Sequence, residues 1–378
     1  MKLKASRVVL GVGLLALAAG SLVATRLGYV ERLRMKIWGR PAHLSAGDFP
    51  AGVSAPVDDW ASVPTRPVRV GVVPRGTVAP LLWAAGDGQR VGLFRGAYAL
   101  DVTAKAFARE DELKRALVLG AENGGVDAAA LTVPSLAMSS ALLRDAAPRT
   151  VLLLGRSRGE DALVARSAKT PAELSGKRLG VEARATSHYF ALWVMSRAGL
   201  TTRDVTLVPL DGPPGEALRG ATVDAVAGTA GELGPVVKEL GAVTISTTAD
   251  APHLLATVLV VRGEFAARYP DAVRRLVRGT LDANTQALKD ATPAARALGD
   301  LAPQLGDPTE AIRAAPPASL RDNLAFFGLG QESPVTYAEL YRSAAELSVK
   351  VFGAPVAPEP DDTADLGPLK YVSSARGP

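Results

Sequence analysis

Over residues 172–227, short segments typical of strands alternate with segments whose apolar residues recur at helical spacing. This alternation predicts the architecture of the chain. Residues 177–181 follow a Ser-Gly turn and read as a short strand. From about His188, apolar side chains recur at helical spacing, which predicts a helix. Arg197 falls in the last turn of that helix and Gly199 just past its end, and both residue types are favoured at a helix C-terminus.

The alternation continues along the same stretch. Residues 205–208 read as a second strand, 216–219 as a short helix and 224–227 as a third strand. Strands that alternate with helices indicate βαβ units and a parallel sheet. The pattern Gly-x-Val-Asp-Ala near Gly125 recurs as Ala-Thr-Val-Asp-Ala near Gly220. This recurrence predicts two lobes of similar topology.

Composition limits the classes of function. The chain has 378 residues, 48% of them hydrophobic, which is enough for a large core in one or two domains. It has no cysteine, so disulfides, a thiol nucleophile and thiolate metal sites are excluded. The three histidines (His43, His188 and His253) are widely spaced and lack the spacing of metal ligands. No cofactor or metal is predicted.

The N-terminal segment holds the basic charge. Residues 1–40 carry eight Lys and Arg against Glu31 alone, so they contribute +7 to a net charge of +5 and leave −2 for the remainder. That distribution argues against nucleic-acid binding by the rest of the chain. Residues 8–25 are uncharged and about long enough to cross a ~30 Å hydrocarbon layer. They predict either a cleaved signal peptide or an uncleaved anchor in the inner membrane, with a linker over 41–67.

Hydroxyl residues follow the predicted strands at two places. Thr186 and Ser187 stand between a strand and a helix, and Thr132 and Ser135 occupy the equivalent position earlier in the chain. Ligands of open α/β sheets bind at the carboxyl ends of strands, where helix N-termini attract anions. Capping of the helices is the alternative role of these hydroxyls.

These segments resemble the solute-binding proteins of ABC importers for nitrate, sulfonates, taurine and thiamine precursors, the SsuA/THI5-like or NMT1 family. The resemblance covers about residues 66–353. It rests on the following segments: Ala79–Ala84, Gly92–Phe94, Arg156–Arg166, Glu173–Lys177, Thr186–Tyr189, Ala198–Leu200, Val223–Ala225, Thr248–His253 and Phe265–Pro270.

The resemblance implies a type II periplasmic-binding-protein fold, an α/β fold with two lobes, mixed and mostly parallel sheets and a ligand cleft between the lobes. The predicted boundaries are 68–156 for the first part of lobe 1, 157–254 for lobe 2, 255–353 for the return to lobe 1, and 354–378 for a surface tail.

It also implies a set of ligand-binding residues at the cleft. The candidates are Arg75, Thr77, Thr132, Ser135, Asp161, Thr186, Ser187, His188, Thr229 and His253. Arg75 carries a permanent positive charge, and its planar guanidinium can form paired hydrogen bonds with a sulfonate, carboxylate or phosphate. The alternative is that this arginine is solvated in its loop. Asp161 either contacts ligand or forms a salt bridge at the hinge.

One segment departs from the family pattern. Relatives place an aromatic residue after the third strand of lobe 2, whereas this chain reads Gly-Thr-Ala-Gly-Glu over 228–232. Without that ring the pocket is poorly suited to stacking against a pyrimidine, so a small anion is expected. The same segment is also compatible with a degenerate pocket that binds no ligand.

The predicted function is extracytoplasmic capture of a small anionic solute for an ABC permease, by hinge closure and without catalysis. A membrane-tethered sensor or scaffold with a degenerate cleft is the alternative, and an enzyme using the cleft ranks below both.

Overall fold

The computed structural model describes residues 62–87, 90–330 and 332–375. The predicted signal peptide or anchor over residues 8–25, and most of the predicted linker, lie outside these residues. Within them, no helix combines the length and the apolar character needed to cross a membrane.

The described chain alternates strands and helices. The strands are β1 (Val68–Val72), β2 (Val102–Ala106), β3 (Ala128–Thr132), β4 (Arg149–Arg156), β5 (Asp161–Ala165), β6 (Arg178–Val181), β7 (Thr206–Pro209), β8 (Ala225–Thr229), β9 (Val243–Thr247) and β10 (Ala256–Val261). The helices are α1 (Ala79–Ala85), α2 (Leu93–Tyr98), α3 (Glu110–Leu119), α4 (Val133–Met138), α5 (Thr186–Arg197), α6 (Pro214–Arg219), α7 (Ala230–Leu240), α8 (Gly263–Arg268), α9 (Pro270–Lys289), α10 (Thr292–Leu301), α11 (Pro308–Ala314), α12 (Leu320–Phe326), α13 (Tyr337–Phe352) and α14 (Gly367–Ala375).

These strands form two sheets of the same topology. One has the order β2-β1-β3-β10-β4 and the other the order β7-β6-β8-β5-β9. In each sheet the first three strands pair in parallel, and the fourth runs antiparallel to both of its neighbours. The mixed α/β fold expected from the sequence is confirmed, with two parallel and two antiparallel strand pairs in each sheet.

The antiparallel strand of each sheet is the one that enters from the other lobe. Residues 157–160 lead from β4 to β5, and residues 248–255 lead from β9 back to β10. We call the β1 sheet with its helices lobe 1 and residues 161–247 lobe 2. These two connecting segments are the crossovers between the lobes. The hydroxyl oxygen of Thr248 in the second crossover accepts hydrogen bonds from the backbone N–H of Gly159 (2.9 Å) in the first and of Asp161 (3.2 Å) just after it.

Burial explains why the central strands read as continuous apolar runs. Every residue of β3, β5 and β10 is buried, as expected for strands covered by helices on both faces. Outside them lie amphipathic helices such as α9, whose apolar face packs into the core of lobe 1.

Two local expectations differ from the structure. Helix α5 begins at Thr186, about two residues before the predicted start, and its N-cap is Ala185, so neither neighbouring hydroxyl caps it. The predicted surface tail contains helix α14, whose Leu369 and Val372 are fully buried against α9. Two apolar side chains in a Pro- and Asp-rich segment give a weak periodic signal, which is why this helix was not expected.

Candidate functional site

The carboxyl ends of the parallel strands of both lobes face a common cavity of about 360 Å³. Its walls are the loops after β1 and β2 in lobe 1 and those after β6, β7 and β8 in lobe 2, together with the first residue of β5. This is the place where open α/β sheets bind ligands. The cavity is therefore the candidate site.

The two lobes touch each other at the back of this cavity. The hydroxyl oxygens of Thr132 and Thr186 are 2.8 Å apart. The Lys114 ammonium donates to the backbone carbonyl of Arg184 at 2.8 Å. Since Thr132 and Lys114 belong to lobe 1 and their partners to lobe 2, the cleft is held closed by side chains of the chain itself.

Arg75 follows β1 and is almost completely buried, with 8% of its surface exposed. Its Nε donates to Glu160 at 2.9 Å and its Nη2 to Asp161 at 2.8 Å. The Glu160 carboxylate also accepts a short hydrogen bond from the backbone N–H of Gly76. Burial raises the pKa of Glu160 in spite of the arginine, while the two carboxylates raise that of Arg75 against the effect of burial. The positive charge of Arg75 is thus balanced within the protein.

Glu110 begins helix α3 and reaches across to helix α5. Its Oε1 accepts a hydrogen bond of 3.1 Å from the backbone N–H of Thr186, and its Oε2 accepts a short one from the Ser135 hydroxyl. Burial would raise the pKa of Glu110, but the charge of Lys114 and these hydrogen bonds hold it below its usual value. An internal carboxylate therefore occupies the positive end of the helix dipole.

Two further carboxylates of the cavity carry poorly compensated charge. Burial, and then the charge of Glu110, raise the pKa of Glu182 to about 7, although the backbone N–H of Asp111 donates to it at 3.0 Å. Burial alone raises the pKa of Glu232. Within the described chain the Glu232 carboxylate has neither a hydrogen bond nor an ion pair.

Negative charge dominates the whole lining. Six acidic residues line the cavity against two arginines. The acidic residues are Glu110, Glu112, Asp161, Glu182, Asp211 and Glu232, and the arginines are Arg75 and Arg109. Arg109 lies 2.9 Å from Asp111 and about 4 Å from both Glu182 and Asp211. Both cations are thus already surrounded by carboxylates.

The structure brings five of the residues predicted from the sequence to this cavity. Arg75, Asp161, Thr186, Ser187 and Thr229 line it. Of the two roles considered for Asp161, the hinge salt bridge is the one observed.

The other five predicted residues lie elsewhere. Thr77 is buried and lies 3.2 Å from the Thr257 hydroxyl, and Thr132 and Ser135 lie behind the cavity. His188 Nδ1 accepts from the backbone N–H of Arg184, and its ring packs edge-on against Phe352.

Neither of the two histidines predicted for the cleft lines the cavity, and their positions have a physical reason. His188 lies on the face of α5 that packs against α13, and burial lowers its pKa to about 4. His253 belongs to the second crossover and lines a separate pocket on the hinge. Helical phase and the direction of the crossover decide these positions, and neither is visible in a motif.

Sequence reasoning missed the acidic residues. Glu110, Glu182 and Glu232 each follow a strand of the parallel set by one to four residues, the same signal that identified Thr132 and Thr186. The rule on the carboxyl ends of strands applies to carboxylates as well as to hydroxyls. It could therefore have identified all three.

The two mixed sheets and the cleft between them define the periplasmic-binding-protein class of fold. The structure is similar to the ligand-binding component of an ABC-type import system from Staphylococcus aureus, with a TM-score of 0.62 and 16% identity over 82% of this chain and 99% of that one. It is similar to the periplasmic aliphatic sulphonate-binding protein SsuA from Escherichia coli, with a TM-score of 0.60 and 16% identity over 80% and 92%. It also matches the desulfurization enzyme DSZB, with a TM-score of 0.55 and 16% identity over 82% and 99%. At these identities the likeness shows the fold.

The family model described as NMT1/THI5 like matches residues 161–294. This match covers lobe 2 and the return into lobe 1, and it confirms the resemblance that the sequence motifs indicate. No curated protein matches the chain by sequence.

Proposed function

We propose that the protein is an extracytoplasmic solute-binding protein that closes its two lobes on a small solute and presents it to an ABC permease. The interlobe cavity supports this function, because its walls come from both lobes and two crossovers form the hinge. The family match and the periplasmic binding proteins among the structural neighbours support it too.

The observation that selects the ligand is the charge of the cavity. We propose a solute with a positive charge, such as an amine or a diamine, in place of the anion that the sequence predicted. Arg75 was the basis of that prediction, and its guanidinium is bound to Glu160 and Asp161. An anion would meet six carboxylates, whereas an ammonium group would supply the partner that Glu232 lacks.

A thermal-shift screen of the full-length protein, followed by calorimetry, tests this function. The amine probes are 1,4-diaminobutane and guanidinium, and the anion probes are nitrate and propanesulfonate, all at equal ionic strength. A ligand of the folded state stabilises it by RT ln(1 + [L]/Kd), about 2.7 kcal/mol at a hundredfold excess over Kd. We expect a saturable rise in Tm with an amine.

Matched variants assign the binding to the cleft. Glu232→Gln is expected to abolish the rise with an amine. Glu264→Gln, at an exposed position of helix α8 in lobe 1, is expected to retain it. A saturable rise with the anions and none with the amines would contradict a cationic solute. Solute binding itself would stand in that case.

A tethered sensor or scaffold is the second candidate, and one observation favours it. The Thr132, Lys114 and Glu110 contacts hold the lobes together with the protein's own side chains. Interlobe contacts made by the protein's own side chains suit a protein that signals through a partner. A flat response to every probe, with closed lobes in solution, would support this candidate. An enzyme that uses the cleft is the third candidate, because the desulfurization enzyme DSZB is among the structural neighbours.

A further inference from the structure

A second pocket lies on the hinge and shares no lining residue with the cleft. Its volume is about 500 Å³, and it lies between the end of β4, the second crossover, helix α12 and residues 332–334. Its ionisable residues are Arg156, Arg158, His253, Arg321, Asp322 and Glu332. The cleft collects carboxylates, whereas this hinge pocket collects basic side chains.

Arg156 is the best-defined group of the hinge pocket. Its guanidinium donates to the backbone carbonyls of Val335 (2.9 Å) and His253 (3.4 Å) and lies 4.7 Å from the centre of the Phe326 ring. It forms no ion pair within the described residues. Burial, and then the charge of Arg158, lower its pKa to about 10. A half-buried guanidinium without an ion pair loses part of its hydration, so its presence needs a reason.

Two more residues of the hinge pocket belong to the crossovers between the lobes. Arg158 is exposed and makes no side-chain hydrogen bond or ion pair with the described residues. The Nδ1 atom of His253 is buried and has no hydrogen-bond partner there. Of the two acids in the pocket, Asp322 is already used, since it accepts hydrogen bonds from the backbone N–H and the hydroxyl of Ser319. Glu332 is exposed, and the three arginines of the pocket outnumber its two acids.

We propose that the hinge pocket binds a small anion whose phosphate, sulfate or carboxylate oxygens contact Arg156, Arg158 and His253. A single anion there pairs with the guanidinium groups of Arg156 and Arg158 and contacts the part of His253 that lines the pocket. Apolar walls from Leu153 and Pro316 leave room for an organic body attached to the charged group.

The position of the hinge pocket gives the anion a regulatory role. Arg158 belongs to the first crossover and His253 to the second, and these two segments connect the lobes. An anion that contacts both fixes their separation and thereby favours one interlobe geometry. Any preference of the cleft ligand for that geometry then couples the two sites, with a magnitude typical of allosteric proteins, roughly 5- to 150-fold in affinity.

Sulfate and phosphate are the probes for the test, with chloride at equal ionic strength as the reference. We expect a saturable rise in the Tm of the full-length protein, superimposed on the gradual stabilisation that sulfate gives to any protein. Arg158→Gln should weaken the saturable component by roughly tenfold or more, since it removes a charged hydrogen bond without disturbing a contact in the fold. Arg313→Gln, an exposed arginine paired with Glu310 on helix α11, is the matched control.

Hydrogen exchange supplies a readout that a general salt effect does not give. Sulfate is expected to slow exchange in residues 157–160 and 248–255 of the wild type and to leave them unchanged in Arg158→Gln. An equal, non-saturable response of the wild type and Arg158→Gln would overturn the proposal. The test needs no cleft ligand, so its outcome is independent of the proposed amine.

Discussion

The Glu110 carboxylate of lobe 1 accepts a hydrogen bond of 3.1 Å from the backbone N–H of Thr186, the first residue of helix α5 in lobe 2. A helix N-terminus carries a partial positive charge and is a natural site for an anion. Here the chain supplies that anion itself. The feature that the sequence assigned to an anionic ligand therefore contributes to closing the lobes.

Glu110→Gln should weaken this closure. The amide keeps the shape of the side chain but loses the charged hydrogen bonds to Ser135 and Thr186 and leaves Lys114 buried beside a neutral group. We expect the free energy of unfolding to fall by about 1.5–3 kcal/mol and the radius of gyration to increase. Urea denaturation and small-angle X-ray scattering measure the two quantities.

Glu112→Gln is the matched control for Glu110. It lies on the same helix and lines the same cavity, but its side chain is exposed. We expect this variant to unfold like the wild type. Equal behaviour of the two variants would show that the contact with Thr186 contributes nothing to closure.

Arg75→Gln should destabilise the fold and should not act through ligand binding. The substitution leaves Glu160 and Asp161 buried without their counter-ion, which typically costs about 3–5 kcal/mol. The loss should be smaller at pH 5 than at pH 8, because a buried carboxylate with a raised pKa takes up a proton as the pH falls. Urea denaturation at the two pH values measures it, with Arg313→Gln as the exposed control.

The raised pKa of Glu182 predicts a specific dependence of the unfolding free energy on pH. Its pKa in the folded protein is about 7 against an ordinary value of 4.5, so the folded state holds this proton more tightly than the unfolded state. The resulting stabilisation is complete below pH 4.5 and is lost as the pH rises through about 7. The groups facing this carboxylate are Glu110, Lys114 and Arg109.

Comparison with Glu182→Gln isolates that contribution. From pH 4.5 to 7.5, the wild type should lose on the order of 2 kcal/mol of unfolding free energy relative to the variant, because one pKa unit corresponds to about 1.36 kcal/mol and the side chain is partly solvated. Urea denaturation at a series of pH values measures the difference. A constant difference between the two proteins would mean that Glu182 titrates normally.

Local patterns made much of the fold predictable. The repeated Val-Asp-Ala motifs have the same role in both lobes, since Asp127 accepts from the backbone N–H of Arg69 (3.0 Å) and Asp224 from that of Arg178 (2.8 Å). Each aspartate thus fixes the start of the strand beside it. This function is local to one sheet, so the motif carries it.

The chemistry of the cleft was not predictable in the same way. Glu110 and Thr186 are 76 residues apart, and Arg75 is 86 residues from Asp161. Whether a charge in a loop meets a ligand or a partner of the other lobe depends on how the lobes close. Arg75 lines the cleft, but its partners determine its role, and no motif reports them.

The small residues after β8 have a structural explanation that leads to the last prediction. A Cβ atom on Gly231 of helix α7 would lie 2.4 Å from the backbone carbonyl oxygen of Leu305, which belongs to lobe 1. A backbone atom cannot yield as a flexible side chain does. The glycine therefore permits the close approach of the lobes at this edge of the cleft.

Gly231→Ala should hold the cleft open. The radius of gyration should increase, and the affinity for a cleft ligand should fall, while each lobe remains folded. Because the chain has no cysteine, the exposed pair Lys105→Cys and Arg203→Cys allows spin labels to report the distance between the lobes. Gly234→Ala, one turn further along α7 with no atom within 4 Å of the added Cβ, is the control, and it should stabilise the helix by roughly 0.5–1 kcal/mol. An unchanged label distance in Gly231→Ala would show that closure does not depend on this contact.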